Sequence, residues 1–218
     1  MERKYGSQGG YIYISYDDPW LFSDMGEYNQ IYAVAGARKP LSYKCYYCDE
    51  YGAVSSLKAE GAERAVIANV YEFGAGEKLM ELSFTTWSEG AEYALFYAPV
   101  SDGIPVADEA QWKQLAEGTV DYSGYMTVPL NENEDAAILP EGKGAIILAL
   151  SGSNPEFGTD ESILRYNRPF FNAKIDKDTS FLLKDGSFTE AKREVKTEDR
   201  EYTLDLNFSL RAYTKPVQ

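Results

Sequence analysis

The stretch YTLDLNFSLR, residues 202–211, alternates without a break. Tyr202, Leu204, Leu206, Phe208 and Leu210 fall on one side, and Thr203, Asp205, Asn207, Ser209 and Arg211 on the other. Successive side chains of a strand point to opposite faces, so a period of two describes a strand with one dry and one wet face, as in antiparallel sheets. Met80, Leu82 and Phe84 alternate with Glu81, Ser83 and Thr85 in the same way, and Tyr93, Leu95 and Tyr97 resume the pattern beyond Ser88-Glu89-Gly90. These two segments, 78–87 and 92–98, read as a hairpin. Residues 145–150, AIILAL, are apolar throughout and flanked by Gly142, Gly144 and Gly152, which suits a central strand buried on both faces. Further strands are expected at 11–16, 30–35, 42–48, 64–73, 119–130, 143–151, 168–174 and 178–183. Helix is scarce. The best candidate is 107–117, with Asp108 as cap and Gly118 as stop. The pattern predicts an all-β fold, a two-layer antiparallel β-sandwich of jelly-roll type.

Two polar segments read as connections. Residues 152–162 are rich in turn formers. Residues 184–200 mix charges of both signs and read as a protruding hairpin or mobile loop.

Composition narrows the chemistry. The 218 residues include no histidine, which removes Ser-His-Asp and Cys-His nucleophile activation and the commonest zinc ligand. Acids outnumber bases 35 to 21, a net charge of −14. Such a chain repels phosphate backbones, so nucleic acid and anionic membrane are not expected partners. No apolar run reaches the ~18 residues of a membrane span. The first ten residues, MERKYGSQGG, lack the apolar core of a signal peptide. Cys45 and Cys48 are spaced C-x-x-C, but no second half of a zinc site exists and the flanking tyrosines read as strand, so they are expected to have no joint role.

The order of these segments resembles the lectin-like domain that follows the papain-like peptidase domain in secreted and cell-wall bacterial cysteine proteases. The stretches that carry the resemblance are GGYIYISYDD (9–18), CYYCDEYG (45–52), IANVYEF (67–73), EKLMELSFTT (77–86), EYALFYAP (92–99), SGYMTVPL (123–130), GKGAIILAL (142–150), RPFFNAK (168–174), TSFLLKDGSF (179–188) and FSLRAYT (208–214). The resemblance implies that residues 1–18 are a remnant of the peptidase domain's last strand and that 19–218 form the lectin-like sandwich. The catalytic Cys and His of the peptidase would then lie upstream of residue 1. One departure stands out: Cys48 occupies a position where the family usually has tyrosine, while Asp49 is retained.

Carbohydrate-binding sandwiches stack exposed aromatic rings on the apolar C–H face of a sugar and bond its hydroxyls with nearby polar groups. Tyr46, Tyr47, Asp49 and Tyr51 cluster near a turn, and Trp87 lies at a strand end, so these five are the candidate ligand residues. The resemblance thus implies a non-catalytic accessory domain, secreted or at the cell surface. Its expected partners are carbohydrate or cell-wall polymer and a peptidase domain in cis. No cofactor is required, although the resemblance allows a structural calcium. Asp176 and Asp178 resemble the start of a calcium loop, but the downstream Asp/Asn-Gly is missing. A structural spacer and, third, a glycoside hydrolase with two facing carboxylates are the alternatives. Residues 9–17 offer two largely apolar faces and are expected to mediate self-association by edge pairing.

Overall fold

The structure, a computed structural model, describes residues 43–130, 138–165, 168–171, 173–196 and 201–217, with side chains described outside 163–165 and 168–171. The strands expected at 11–16 and 30–35, the division at residue 18 and the pairing through 9–17 lie outside the described residues. In chain order the strands are β1 (Lys44–Tyr46), β2 (Ser55–Lys58), β3 (Arg64–Phe73), β4 (Glu77–Thr86), β5 (Glu92–Ser101), β6 (Ile104–Pro105), β7 (Lys113–Thr119), β8 (Gly124–Pro129), β9 (Gly142–Ser151), β10 (Glu156–Glu161), β11 (Ile163–Arg165), β12 (Arg168–Phe171), β13 (Ser180–Lys184), β14 (Ser187–Glu190), β15 (Lys192–Lys196), β16 (Glu201–Phe208) and β17 (Leu210–Pro216).

They form two antiparallel sheets and one separate pair. The first sheet runs β1-β17-β4-β10-β16-β15, with β2 on β10 and β8 on β4; the second runs β14-β13-β3-β9-β5-β6, with β7 on β5; β11 pairs with β12. Alternation explains how the sheets face each other. Leu82 and Phe84 of β4, Phe208 of β16 and Leu210 of β17 meet Ile67 of β3, Leu95 of β5 and Ile146 and Leu148 of β9 in one core. Fully burying each such side chain is worth ~1.5–3 kcal/mol. The opposite parity builds a second apolar layer. Val66, Ala68, Ile147 and Ala149 lie on the other face of the second sheet with Phe181, Trp112 and Phe188. Trp112 packs at 5.5 Å from the Phe96 ring and 6.1 Å from Phe188, and its indole N–H donates to the Val106 carbonyl at 2.7 Å. The apolar run 145–150 is therefore the central strand its sequence predicts, buried on both faces between β3 and β5.

Four expectations change. First, 78–87 and 92–98 are not a hairpin, because β4 belongs to the first sheet and β5 to the second. Besides a turn of its own, in which the Ala91 N–H donates to the Ser88 carbonyl at 3.1 Å, the connection bonds outward: Thr86 Oγ1 donates to the Glu156 carbonyl at 2.6 Å, and the Gly90 N–H donates to the Val120 carbonyl at 2.8 Å. The chain thus passes between layers. Second, the helix expected at 107–117 shrinks to a 3-10 turn at Glu109–Gln111. Asp108 does cap it, accepting from the Ala110 N–H at 3.1 Å. The chain then becomes β7, drawn into edge pairing with β5. Third, residues 152–162 are not all loop: β10 is an interior strand whose polar side chains are buried. Glu161 accepts from Arg193 Nε at 2.9 Å, which lets a charged residue sit in a sheet interior. Fourth, the expectation for 184–200 narrows to its hairpin alternative: the described residues 184–196 are mostly sheet. Asp185 and Gly186, with φ of 49° and 76°, form the tight turn between β13 and β14. β15 then pairs along β16.

Residues 202–211 lie on one long strand broken at Ser209. Before it the chain pairs with β10, Thr159 opposite Phe208; after it with β4, Leu210 opposite Phe84. Ser209 itself bonds to both, its N–H to Gly158 and its carbonyl to Thr85 N–H. Its outer side is wet at Thr203 and Asp205 but not beyond them. Asn207 and Ser209 are buried and Arg211 is half-buried, because residues 47–51 fold back over them.

Candidate binding face

The five candidate residues separate on the first sheet. Tyr46 belongs to the core edge: its ring packs 4.9 Å from Phe73, and its hydroxyl donates to Glu77 at 2.7 Å. Burial raises the Glu77 carboxyl, but hydrogen bonds from Tyr46, Lys44 and Thr214 outweigh it and the net shift is downward. Asp49 is fully buried. It accepts from Ser209 Oγ at 2.9 Å and from Arg211 through Nε at 2.9 Å and Nη2 at 2.8 Å. It is a structural anion rather than one offered to a ligand. Tyr51 is exposed, and its backbone N–H donates to Asp160 at 3.2 Å. Trp87 is half-buried, two residues along the chain from Thr85 and so ~7 Å beyond it. Tyr47 is 57% exposed, and the Arg211 guanidinium lies 5.6 Å from its ring centroid.

What joins Tyr47 on the outer face was not singled out as ligand-binding from sequence. Tyr213 of β17 and Tyr125 of β8 approach each other from either side of β4. Their hydroxyls are 2.9 Å apart, and Tyr125 donates to Ser83 Oγ at 2.7 Å. Ser83 lies 3.5 Å from the Tyr213 hydroxyl, so three hydroxyls close a triangle over β4. Register places them there, because Ser83 sits opposite Arg211 on one side and Thr127 on the other. Tyr125 is 44% exposed. Tyr213 is partly buried; burial and the bond from Tyr125 push its hydroxyl up to about 12, so it stays protonated and can donate. Burial alone would lower Arg211, but the bidentate Asp49 carboxylate more than offsets it and holds the guanidinium charged. The parity of Arg211 was legible in the alternation. The meeting of Tyr125 with Tyr213, 88 residues apart, was not.

Cys45 pairs in register with Tyr213, and Cys48 lies 3.6 Å from Ser180 Oγ. Both are free thiols. Burial pushes Cys48 up to about 12, which makes it unreactive at neutral pH. Among the described residues no three His, Cys, Asp or Glu side chains gather as cation ligands, and Asp176 pairs with Lys174 at 3.6 Å. Glu92 and Glu117 line a shallow cleft of about 350 Å³ with Tyr93, Ser151 and Thr119. Glu92 is opposite Thr119 and Glu117 opposite Ala94, so the two acids stand diagonally on one face of β5 and β7. Among the described residues no helix is long and apolar enough to cross a membrane.

The class these features define is an antiparallel sandwich with a tyrosine- and hydroxyl-bearing outer face. Residues 45–214 match the family model described as the lectin-like domain, and the chain belongs to that family. Among solved structures it is similar to the clostridial cysteine protease Cwp84 after propeptide cleavage, at 29% identity and a TM-score of 0.66, covering 83% of this chain and 42% of that one. The same values hold for the structure of the cysteine protease and lectin-like domains of Cwp84, a surface layer associated protein of Clostridium difficile, where 37% of that chain is covered. The chain therefore spans about two fifths of the length of these relatives. In that protein the protease is a domain separate from the lectin-like one. The curated proteins contain no match.

Proposed function

We propose that the chain is the carbohydrate-binding, lectin-like accessory part of a secreted or cell-surface papain-type cysteine protease, with the peptidase domain in cis. The glycan docks on the face bearing Tyr47, Tyr125 and Tyr213. The observation that supports this is the hydroxyl triangle of Tyr125, Tyr213 and Ser83 beside exposed rings. Rings supply the apolar contact that a sugar's C–H face needs, and rigid strands hold the hydroxyls that would bond its edge. The localisation and the peptidase partner follow from the likeness to a surface-layer associated cysteine protease.

The test is binding of a panel of soluble glycans to the chain by calorimetry. Tyr125→Ala and Tyr47→Ala are each expected to weaken binding at least about tenfold, equivalent to ~1.4 kcal/mol. Lys184→Ala, at the exposed tip of the β13–β14 hairpin, should leave it unchanged. If the domain is instead a spacer, neither tyrosine substitution will matter, because no panel member will bind.

A further inference from the structure

At the centre of the face described above lies Arg211, whose charge is already neutralised. Arg211 contacts Tyr47 through its guanidinium and reaches Asp49 through two nitrogens at 2.9 and 2.8 Å. Its side chain is one quarter exposed, whereas Asp49 is not exposed at all. A carboxylate approaching the guanidinium from solvent meets a group whose charge is balanced and whose Nε and Nη2 are engaged from beneath. Around Arg211 lies a chain of net charge −14, which raises the electrostatic cost of bringing an anion near. Beside it stand groups an uncharged sugar uses: the aromatic faces and hydroxyls of Tyr125 and Tyr213, with Ser83 buried beneath them as their hydrogen-bond partner.

We infer that this face selects uncharged glycans over anionic ones, and that Asp49 sets the selectivity by cancelling the charge of Arg211. The inference rests on the reading of the face as a glycan site. Arg211 then acts as a flat, neutralised shelf beside Tyr47. Without Asp49 it would be an anion receptor, the usual role of an accessible guanidinium.

The experiment compares the chain's affinity for two neutral probes, dextran and chitohexaose, with that for two anionic ones, dextran sulfate and polygalacturonate, at ~20 mM salt, where charges act over tens of ångströms. The expected result is binding of a neutral probe and binding of each anionic probe weaker by at least about tenfold. In Asp49→Asn the ratio of anionic to neutral affinity should rise about fivefold, and that gain should vanish at ~0.3 M salt. The double variant Asp49→Asn with Arg211→Gln, which carries neither charge, should return the ratio to near the wild-type value. Thermal melts establish that the variants fold, and the wild-type comparison stands if either does not. Anionic probes binding the wild type as tightly as neutral ones, with Tyr125→Ala abolishing both, would overturn the selectivity and leave the glycan site standing. If no probe of either kind binds, the glycan reading itself fails, and the inference with it.

Discussion

Asn69 of β3 donates its side-chain N–H to the Leu210 carbonyl of β17 at 2.9 Å, straight across the core from one sheet to the other. The same nitrogen donates to the Phe208 carbonyl at 2.9 Å, and Asn69 Oδ1 accepts from Ser180 Oγ at 2.7 Å. The need for these bonds lies at Ser209, where the long strand changes partner and turns two carbonyls into the apolar interior. Tyr71 also donates to the Leu210 carbonyl. A buried carbonyl without a donor costs about 1–3 kcal/mol. Asn69→Leu has similar volume but no polar atoms. It is expected to lower the unfolding free energy by about 3 kcal/mol in urea titration, because Phe208 loses this donor and Ser180 loses an acceptor. A loss under ~1 kcal/mol would show that the two carbonyls do not depend on Asn69.

The Asp49–Arg211 pair has a structural role independent of any ligand. It pins residues 47–51 onto the outer face of the first sheet, with Asn207 bonding the Cys48 carbonyl and Asp160 bonding the Tyr51 N–H. Removing one partner of a buried pair strands the other charge, at about 3–5 kcal/mol. Arg211→Met should therefore destabilise by about that amount, while Arg211→Met with Asp49→Asn should recover more than half of it. Equal losses in the single and double variants would mean that packing, not charge, explains the effect.

Thr159 of β10 is fully buried opposite Phe208, and its hydroxyl has no partner among the described residues. Valine has nearly the same shape without the hydroxyl. Because an unsatisfied buried hydroxyl costs free energy, Thr159→Val is expected to stabilise the chain by about 1 kcal/mol. The check is an upward shift of the urea midpoint with an unchanged slope. A downward shift would mean that the hydroxyl is satisfied, for example by water.

Reading from sequence worked where a strand's environment is written in its own alternation. β3 and β9 stand at Arg64–Phe73 and Gly142–Ser151, close to the expected 64–73 and 143–151, because their apolar residues have no other place to go. It failed where partners distant in sequence decide. Glu156–Glu161 looks like loop because it is polar, yet Arg193 and the Tyr51 N–H make its carboxylates tolerable inside a sheet. The turn after β4 has a hairpin's residues, but both edges of β4 are already taken, by β17 and by β8. The candidate face shows the same limit. Tyr47 stood out as part of an aromatic cluster, whereas Tyr125 and Tyr213 are ordinary alternating tyrosines until the register of β8, β4 and β17 brings their hydroxyls together. Asp49 drew attention as a polar group among tyrosines and proves to be the buried partner of Arg211.

Asp160 governs a pH dependence of its own. It is fully buried, its Oδ1 has no partner among the described residues, and Oδ2 accepts from the Tyr51 N–H. Burial raises its carboxyl above the usual aspartate range; the Tyr51 bond works against this, and repulsion from the nearby Asp49 and Glu50 adds to it. A group whose folded value is raised favours the folded state below its unfolded value, near 4, and loses that advantage as pH rises through the folded value. The ionised Asp160 is thus a cost that is absent in acid and complete once the pH has passed the folded value. Asp160→Asn removes the titration while keeping a side-chain oxygen that can accept from Tyr51. Its stability relative to wild type should therefore climb from about pH 4 upward and level off once the wild-type carboxyl is fully ionised. Urea unfolding of both proteins at half-unit steps from pH 3.5 to 7.5 measures that difference. A flat difference across the range would mean that Asp160 titrates alike in the folded and unfolded chains. A difference that shrinks with rising pH would mean that it is held ionised by a partner.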